Sequence, residues 1–242
     1  MRVPRLYTPQ ALRGNSELLL VDDAAHYIAK VLRLRAEDYI RVFNGSDGEY
    51  SARIIAIDKK SVTALLDSRL EGGADPSLAI HLGLGLSRGE RMDYAIQKAT
   101  EAGVGSITPL LTERCEVKLK GDRIDNRMSH WERVAISACE QSGRCVVPTI
   151  ASPLTLAEWL SLSRTGANFV LDHRGEQGLA AAQKPEAVTF LIGPEGGLSE
   201  EEVMLAKEND FKLVRIGPRV LRTETAPIVA ISLAQHLWGD YQ

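Results

Sequence analysis

The chain has 242 residues, enough for one large domain or for a small domain beside a medium one. Its composition, 44% hydrophobic and 25% charged, is that of an ordinary globular protein, and no apolar run approaches the roughly 20 residues needed to cross a bilayer. A net charge of −3 argues against a protein that coats nucleic acid without specificity. Three cysteines, Cys115, Cys139 and Cys145, include no C-x-x-C pair, which suggests reduced thiols and neither a disulfide framework nor a metal site. The opening MRVPRLYTPQ lacks the apolar core of a secretory signal, so the protein is expected in the cytoplasm, away from membranes.

Residues 1–70 read as a small, mostly β unit. Residues 18–21 form a short apolar run, and Asp22 or Asp23 can cap a helix reaching about Leu34, with Ile28, Val31, Leu32 and Arg35 at helical spacing. Strand-like runs follow at 39–43, 50–57 and 61–70, the first two joined by Asn44-Gly45-Ser46-Asp47-Gly48, a hairpin sequence. A compact barrel with one helix fits this pattern. Residues 71–76, Glu71 to Pro76, break both periodicities and read as a linker, which divides the chain into domains 1–72 and 73–242. Residues 1–41 carry seven basic and five acidic groups, a local charge of 7 − 5 = +2. If Arg2, Arg5, Arg33 and Arg35 share a face they can bind phosphates; a solvated surface is the plainer alternative.

From Leu78 the pattern alternates. Strands are expected at 79–86, 104–110, 146–150, 168–171, 188–192 and 212–216. A helix at 90–102 places Met92, Ala95, Ile96 and Ala99 on one stripe and ends at Gly103. A second, about 122–141, does the same with Ile124, Met128, Trp131, Ala135 and Ala138. Ser199 and Glu202 make a capping box for a third helix to about Asn209, and the last runs from Pro227 to Trp238. Such alternation implies an α/β domain whose parallel sheet is covered on both faces.

Ligands of open α/β sheets sit beyond the carboxyl ends of the strands. Three loops qualify: Asp172-His173-Arg174-Gly175, the loop opening at Gly193-Pro194-Glu195-Gly196-Gly197, and the longer one from Gly217 to Thr225. The last two both begin with Ile-Gly-Pro, at Ile192 and Ile216. Glycines there admit a ligand close to the backbone, although a bare tight turn would also explain the first loop and a helix start the second. No Gly-Lys-Ser/Thr follows, so this is no P-loop, and Gly83-Leu84-Gly85 meets Arg88 where a dinucleotide fingerprint needs glycine. A nucleoside-like ligand suits the loops better than a phosphate-rich one. Among the histidines only His173 follows a strand at this edge. Arg133, Glu140, Gln141 and Arg144 adjoin one side of the second helix, as an exposed face or an RNA contact.

The runs LIGPEGGLSEEE (191–202) and IGPRVLRTETA (216–226) resemble the SPOUT class of RNA methyltransferases, and more narrowly the RsmE family. QKATEAGVGSITPL (97–110) and RVAISACEQSGRCVVPTI (133–150) are similar to that family's pattern, which covers nearly the whole chain. One departure is Ala102, where the family commonly has leucine. The resemblance implies a trefoil-knotted SPOUT methyltransferase domain behind a small PUA-like β-barrel, a homodimer, and S-adenosylmethionine as cofactor. It implies methylation at N3 of one uridine of 16S ribosomal RNA, U1498 in the family's usual numbering, within the small subunit. Carried over, the donor would contact Leu171, Ile192, Gly193, Pro194, Glu195, Gly196 and Gly197. It would also contact Ile216, Gly217, Leu221, Arg222, Thr223, Glu224, Thr225 and Ala226. Arg222 would stabilise developing charge or a phosphate, Glu195 and Glu224 would be the candidate bases, and no metal is implied. Arg2, Arg5, Arg33, Arg35, Arg133 and Arg144 are the candidate RNA contacts. The rivals are a SPOUT enzyme acting on a ribose 2′-hydroxyl or on transfer RNA, and a non-catalytic RNA-binding assembly factor.

Overall fold

The computed structural model describes residues 3–117 and 122–241. The chain forms two compact units, one from the residues up to Asp75 together with Cys139–Val147, the other from Pro76–Ala138 and the chain from Pro148 onward.

In the first unit β1 (Arg5–Tyr7), β2 (Glu17–Val21), β3 (Tyr39–Phe43), β4 (Glu49–Ile57) and β5 (Ser61–Leu70) make one sheet in the order β1-β3-β4-β5-β2. Only β1 and β3 pair in parallel; the other neighbours are antiparallel. Alternate residues point inward, so Leu18 and Leu20, Ile40 and Val42, and Val62, Ala64 and Leu66 fill one core. The hairpin is an Asx turn: Asn44 Oδ1 accepts the Asp47 N–H at 2.8 Å. The expected helix to Leu34 is shorter. After α1 (Asp22–His26) the backbone widens into a π-helical turn, Tyr27–Val31. That wider turn keeps Ile28 fully buried but carries Val31 to solvent, 58% exposed, against the stripe read from an α-helical period. Neither Asp22 nor Asp23 caps α1, whose N-cap is Val21 without a side-chain bond.

Two expected RNA contacts are structural. Arg5 is buried and donates from Nε to Glu49 at 2.5 Å, from Nη1 to the Cys139 carbonyl at 2.5 Å, and from Nη2 to the Arg144 carbonyl at 3.0 Å. Its guanidinium also lies 4.7 Å from the centroid of Phe43. Five planar donors let it serve a carboxylate and several carbonyls at once, the Cys139 carbonyl also accepting the Gly143 N–H at 3.2 Å. Arg144, too, is buried, its Nε 3.7 Å from Asp75. Neither side chain reaches solvent, so neither can meet a phosphate. Glu140 is half-buried and accepts the Tyr7 N–H at 3.0 Å, so of the exposed face expected along this side of the helix only Arg133 and Gln141 are exposed. Arg33 and Arg35 are exposed, and Arg133 of the second unit is too. Arg2 lies outside the described residues. Burial pushes the Cys139 thiol up to about 11, which leaves it unreactive.

The second unit is built on parallel strands: β6 (Ala79–Gly85), β7 (Ser106–Leu111), β8 (Thr149–Ile150), β9 (Leu154–Thr155), β10 (Ala167–Leu171), β11 (Ala187–Ile192) and β12 (Lys212–Val214). Their order is β12-β10-β11-β6-β7-β8, with β9 also on β7, and every pairing is parallel. Helices α2 (Glu90–Glu101), α3 (Asp122–Ser142), α4 (Leu156–Leu160), α5 (Glu200–Glu208) and α6 (Ala226–Trp238) are interleaved. All four residues of the expected α2 stripe are buried, as are Trp131, Ala135 and Ala138 of α3. The Ser199–Glu202 capping box forms reciprocally, with the Glu202 N–H on Ser199 Oγ at 3.2 Å and the Ser199 N–H on the Glu202 carboxylate at 2.9 Å. The strand expected at 146–150 shrinks to Thr149–Ile150, because residues up to Val147 pack with the first unit. The strand expected at 212–216 ends at Val214, where the Arg215 N–H turns away to the Gln177 carbonyl at 2.9 Å. Because β12, β10, β11 and β6 are parallel neighbours, their carboxyl ends share one edge. That edge holds the site.

Candidate functional site

The loops after β10, β11 and β12 close around a cavity of about 800 Å³, a size suited to a small organic molecule. Leu171, Ile192, Ile216 and Leu221 line it with aliphatic side chains. The turn at Gly193, Pro194, Glu195, Gly196 and Gly197 forms one wall, and Gly217, Arg222, Thr223, Glu224 and Ala226 form the facing one. Thr225 alone among the expected donor contacts does not line the cavity; its N–H donates to the Arg222 carbonyl at 2.9 Å and helps start α6. Arg91, Arg114, Asp172, His173, Arg174, Glu200, Arg215, Arg219 and Val220 also line it.

The two Ile-Gly-Pro turns are stitched together. Thr223, buried, donates from Oγ1 to the Gly193 carbonyl at 2.9 Å, and Ser87 Oγ lies 3.4 Å from the same hydroxyl. Beneath them β6 ends at Gly85 with no room to spare. A Cβ there would stand 2.5 Å from Pro194 Cδ and 2.8 Å from the Gly193 carbonyl carbon, and nearer still to the Pro194 nitrogen. Only glycine lets the strand run under the turn.

The two candidate carboxylates differ. Glu195 Oε1 accepts the Arg88 N–H at 3.2 Å and Arg91 Nη1 at 3.1 Å. Burial pushes its carboxyl up, but hydrogen bonds from its own N–H, from Arg88, from Arg91 and from Ser87 outweigh that and hold it below the ordinary carboxylate range. A carboxylate so stabilised is a weak base. Glu224 is otherwise placed. Its side chain is 17% exposed, Oε1 is 4.0 Å from Arg222 Nη1, and Oε2 is buried without a hydrogen-bond partner among the described residues. An unpartnered buried carboxylate oxygen beside a cavity suits a cationic or proton-bearing ligand. Arg222 itself reaches outward, its side chain 79% exposed. Elsewhere on the rim Arg174 donates twice to Asp172, from Nε at 2.9 Å and from Nη2 at 2.8 Å, and holds that carboxyl below its ordinary value.

Two family models match the chain: an RNA methyltransferase domain over residues 74–235 and an RNA methyltransferase PUA domain over residues 20–67. A ribosomal RNA small subunit methyltransferase E of Buchnera aphidicola is 34% identical over 243 aligned positions, covering 100% of this chain and 96% of that one. The chain belongs to the RsmE family. The family's Neisseria gonorrhoeae member, solved bound to S-adenosyl methionine, superposes with a TM-score of 0.94 at 34% identity over 100% of both chains. A Legionella pneumophila protein solved with the cofactor SAM gives 0.96 at 36% identity, again over 100% of both chains. The fold is therefore the family's α/β methyltransferase fold with an N-terminal PUA-like domain.

Strand ends and the repeated Ile-Gly-Pro tripeptide point to the two turns but not to what supports them. Gly85 was legible only as half of a failed fingerprint, and Ser87 carried no signal. Arg91 lies on α2 beside Met92, in a helix whose spacing speaks only for its core stripe. Asp172 and Arg174 stood in a loop flagged by position, yet their pairing depends on geometry that no spacing rule encodes.

Proposed function

We propose that this protein is an S-adenosylmethionine-dependent methyltransferase of the small ribosomal subunit, acting at N3 of one uridine of 16S ribosomal RNA, U1498 in the family's usual numbering. It would act in the cytoplasm as a homodimer, with residues 1–72 as an RNA-binding barrel and 73–242 as a trefoil-knotted catalytic domain. The observation carrying this reading is the enclosure between the two Ile-Gly-Pro turns, stitched by Thr223 and lined by aliphatic residues and by Glu224, one of whose carboxylate oxygens is buried without a partner among the described residues. The return of residues 215–225 to Gly193 is in keeping with a knotted path.

These residues fit a cationic nucleoside. Leu171, Ile192, Ile216 and Leu221 offer flat apolar cover for an adenine, backbone groups of the two turns offer polar recognition of its edge, and Glu224 offers a countercharge. When bound, S-adenosylmethionine supplies a methyl group on a cationic sulfur that leaves as a neutral thioether. The chain's task is to hold the acceptor in line with that bond and to manage one proton. Uridine N3 loses its proton as the N–CH3 bond forms, and negative charge spreads to O2 and O4. Arg222 is assigned to that charge or to the flanking phosphate. Of the two carboxylates Glu224 is the proton acceptor this reading favours, because Glu195 is already committed to Arg88 and Arg91.

Small subunits from cells lacking this activity, incubated with the protein and labelled S-adenosylmethionine, should gain one methyl group, mapped by mass spectrometry to uridine N3. A methyl on a ribose, or on transfer RNA alone, would redirect the reading. Binding of the donor with no methylation of naked or assembled 16S RNA would defeat it. In single turnover at saturating RNA, Arg222→Ala and Glu224→Gln should slow the chemical step, and Glu195→Gln should affect it less.

A further inference from the structure

With Arg5 and Arg144 buried, the cations able to meet RNA lie elsewhere, and the cavity rim has an uneven charge pattern. Several of its arginines are already committed: Arg91 to Glu195 at 3.1 Å, and Arg174 to Asp172 at 2.8 Å. The connection between β12 and α6 is different. Residues 215–222 contain Arg215, Arg219 and Arg222 and no acidic residue. All three are exposed, and among the described residues neither Arg215 nor Arg219 has an ion pair or a side-chain hydrogen bond. Between Arg219 and Arg222 stands Val220, 80% exposed, more than any other large apolar side chain described. On a chain of net charge −3 this is a concentrated patch of positive charge around an apolar tip, and Arg222 alone of the three has an ion pair among the described residues, with Glu224 at 4.0 Å.

The loop is also anchored at both ends. At its start the Arg215 N–H donates to the Gln177 carbonyl at 2.9 Å; past its end Thr223 Oγ1 holds the Gly193 carbonyl at 2.9 Å. Within it Gly217 adopts φ +76°, a left-handed turn that lets Pro218 redirect the chain. The arginines thus project from a fixed frame on the cavity rim.

We propose that residues 215–222 seat the RNA strand on the catalytic unit. Arg215 and Arg219 take phosphates flanking the target nucleotide, and Val220 packs against a neighbouring base, holding the strand open at the cavity. The chemistry recognised is a single-stranded polyanion with exposed bases: guanidinium groups meet phosphates in bidentate fashion, and a protruding aliphatic side chain wedges beside an unstacked base. This inference rests on the methyl-transfer reading above.

The test compares the unsubstituted protein with R215A/R219A, R215K/R219K and V220A. Unmethylated small subunits and labelled S-adenosylmethionine are the substrates, KM for subunits is followed against salt, and donor affinity is measured by calorimetry. Each lost single-strand phosphate contact removes about 0.7 from the logarithmic salt slope. The alanine pair should therefore lower the slope by about 1.4, so that between about 50 and about 200 mM salt it loses roughly sevenfold less affinity than the unsubstituted protein. The lysine pair should keep the slope, and V220A should raise KM at an unchanged slope. All should still bind the donor. An unchanged slope in the alanine pair would overturn the proposal, as would loss of donor binding, which would assign the arginines to the donor. Dissociation of a dimer at an unchanged slope would assign the loop to subunit pairing and overturn it too. Failure of the unsubstituted protein to methylate the subunits would overturn both this inference and the function beneath it, whereas methylation with an unaltered slope sinks the loop alone.

Discussion

Replacing Gly85 by alanine should damage the site although Gly85 itself does not line the cavity. The added methyl carbon would stand 2.5 Å from Pro194 Cδ and 2.8 Å from the Gly193 carbonyl carbon, where comfortable carbon contacts lie at about 3.5–4.0 Å. β6 is held on both sides, by β11 and β7, so the turn is the part that gives, by about 1 Å. Overpacking of this kind costs about 1–3 kcal/mol. The Thr223 bond to the Gly193 carbonyl moves with the turn, and losing it adds about 1 kcal/mol. A combined loss of about 3 kcal/mol corresponds to a melting midpoint lower by about 6–12 °C in a domain of this size. A displacement of about 1 Å at the reacting groups costs on the order of 100-fold in turnover. Thermal melts, calorimetry with S-adenosylmethionine and single-turnover methylation read the three consequences. Gly83→Ala is the control: two residues earlier, its methyl would press on the Trp159 ring at 2.5 Å and no site turn, so stability falls while donor affinity holds. If Gly85→Ala bound the donor as tightly as the unsubstituted protein and melted with it, the claim that this strand end supports the site would be wrong.

Thr223→Val keeps the side chain's shape but removes the hydroxyl bonded to Gly193; a loss of about 1 kcal/mol, or about fivefold in donor affinity, is expected by calorimetry. Arg5→Ala leaves Glu49 buried with Arg41 as its one remaining cation among the described residues, at 3.7 Å, and removes the guanidinium donors to the Cys139 and Arg144 carbonyls. Urea unfolding should show about 3–5 kcal/mol of lost stability, with donor affinity of the folded protein retained. Asp172 has a folded pKa below its unfolded value, so its contribution is present above the ordinary carboxylate pKa near 4 and is lost as pH falls through the lower folded value. Asp172→Asn should therefore be less stable at neutral pH and lose less on acidification below about pH 4, as pH-dependent melts would show.

Periodicity was a good guide wherever an element buried one face. β3 and β5 match their expected bounds, and α2 presents the four side chains its spacing assigned. It failed where the period itself changed, at the π-helical turn that exposes Val31, and where an element is too short to show one, as in α4 with five residues. For the site, two repeated Ile-Gly-Pro turns after apolar runs were enough to mark the residues that converge. What local reading could not reveal is how charges are used. Arg5 and Arg215 are equivalent in composition, yet one is buried against carbonyls and the other is exposed and unpaired among the described residues. That difference is set by residues more than 40 positions away, such as Glu49 and Cys139 for Arg5.

A crystal structure of the protein grown with S-adenosylmethionine tests the central claim most directly. Density for the nucleoside should lie between the turn at Gly193–Pro194 and the segment from Gly217 to Glu224, with its cationic end beside the Glu224 carboxylate. Ordered donor anywhere else, with that enclosure unchanged, would contradict the account.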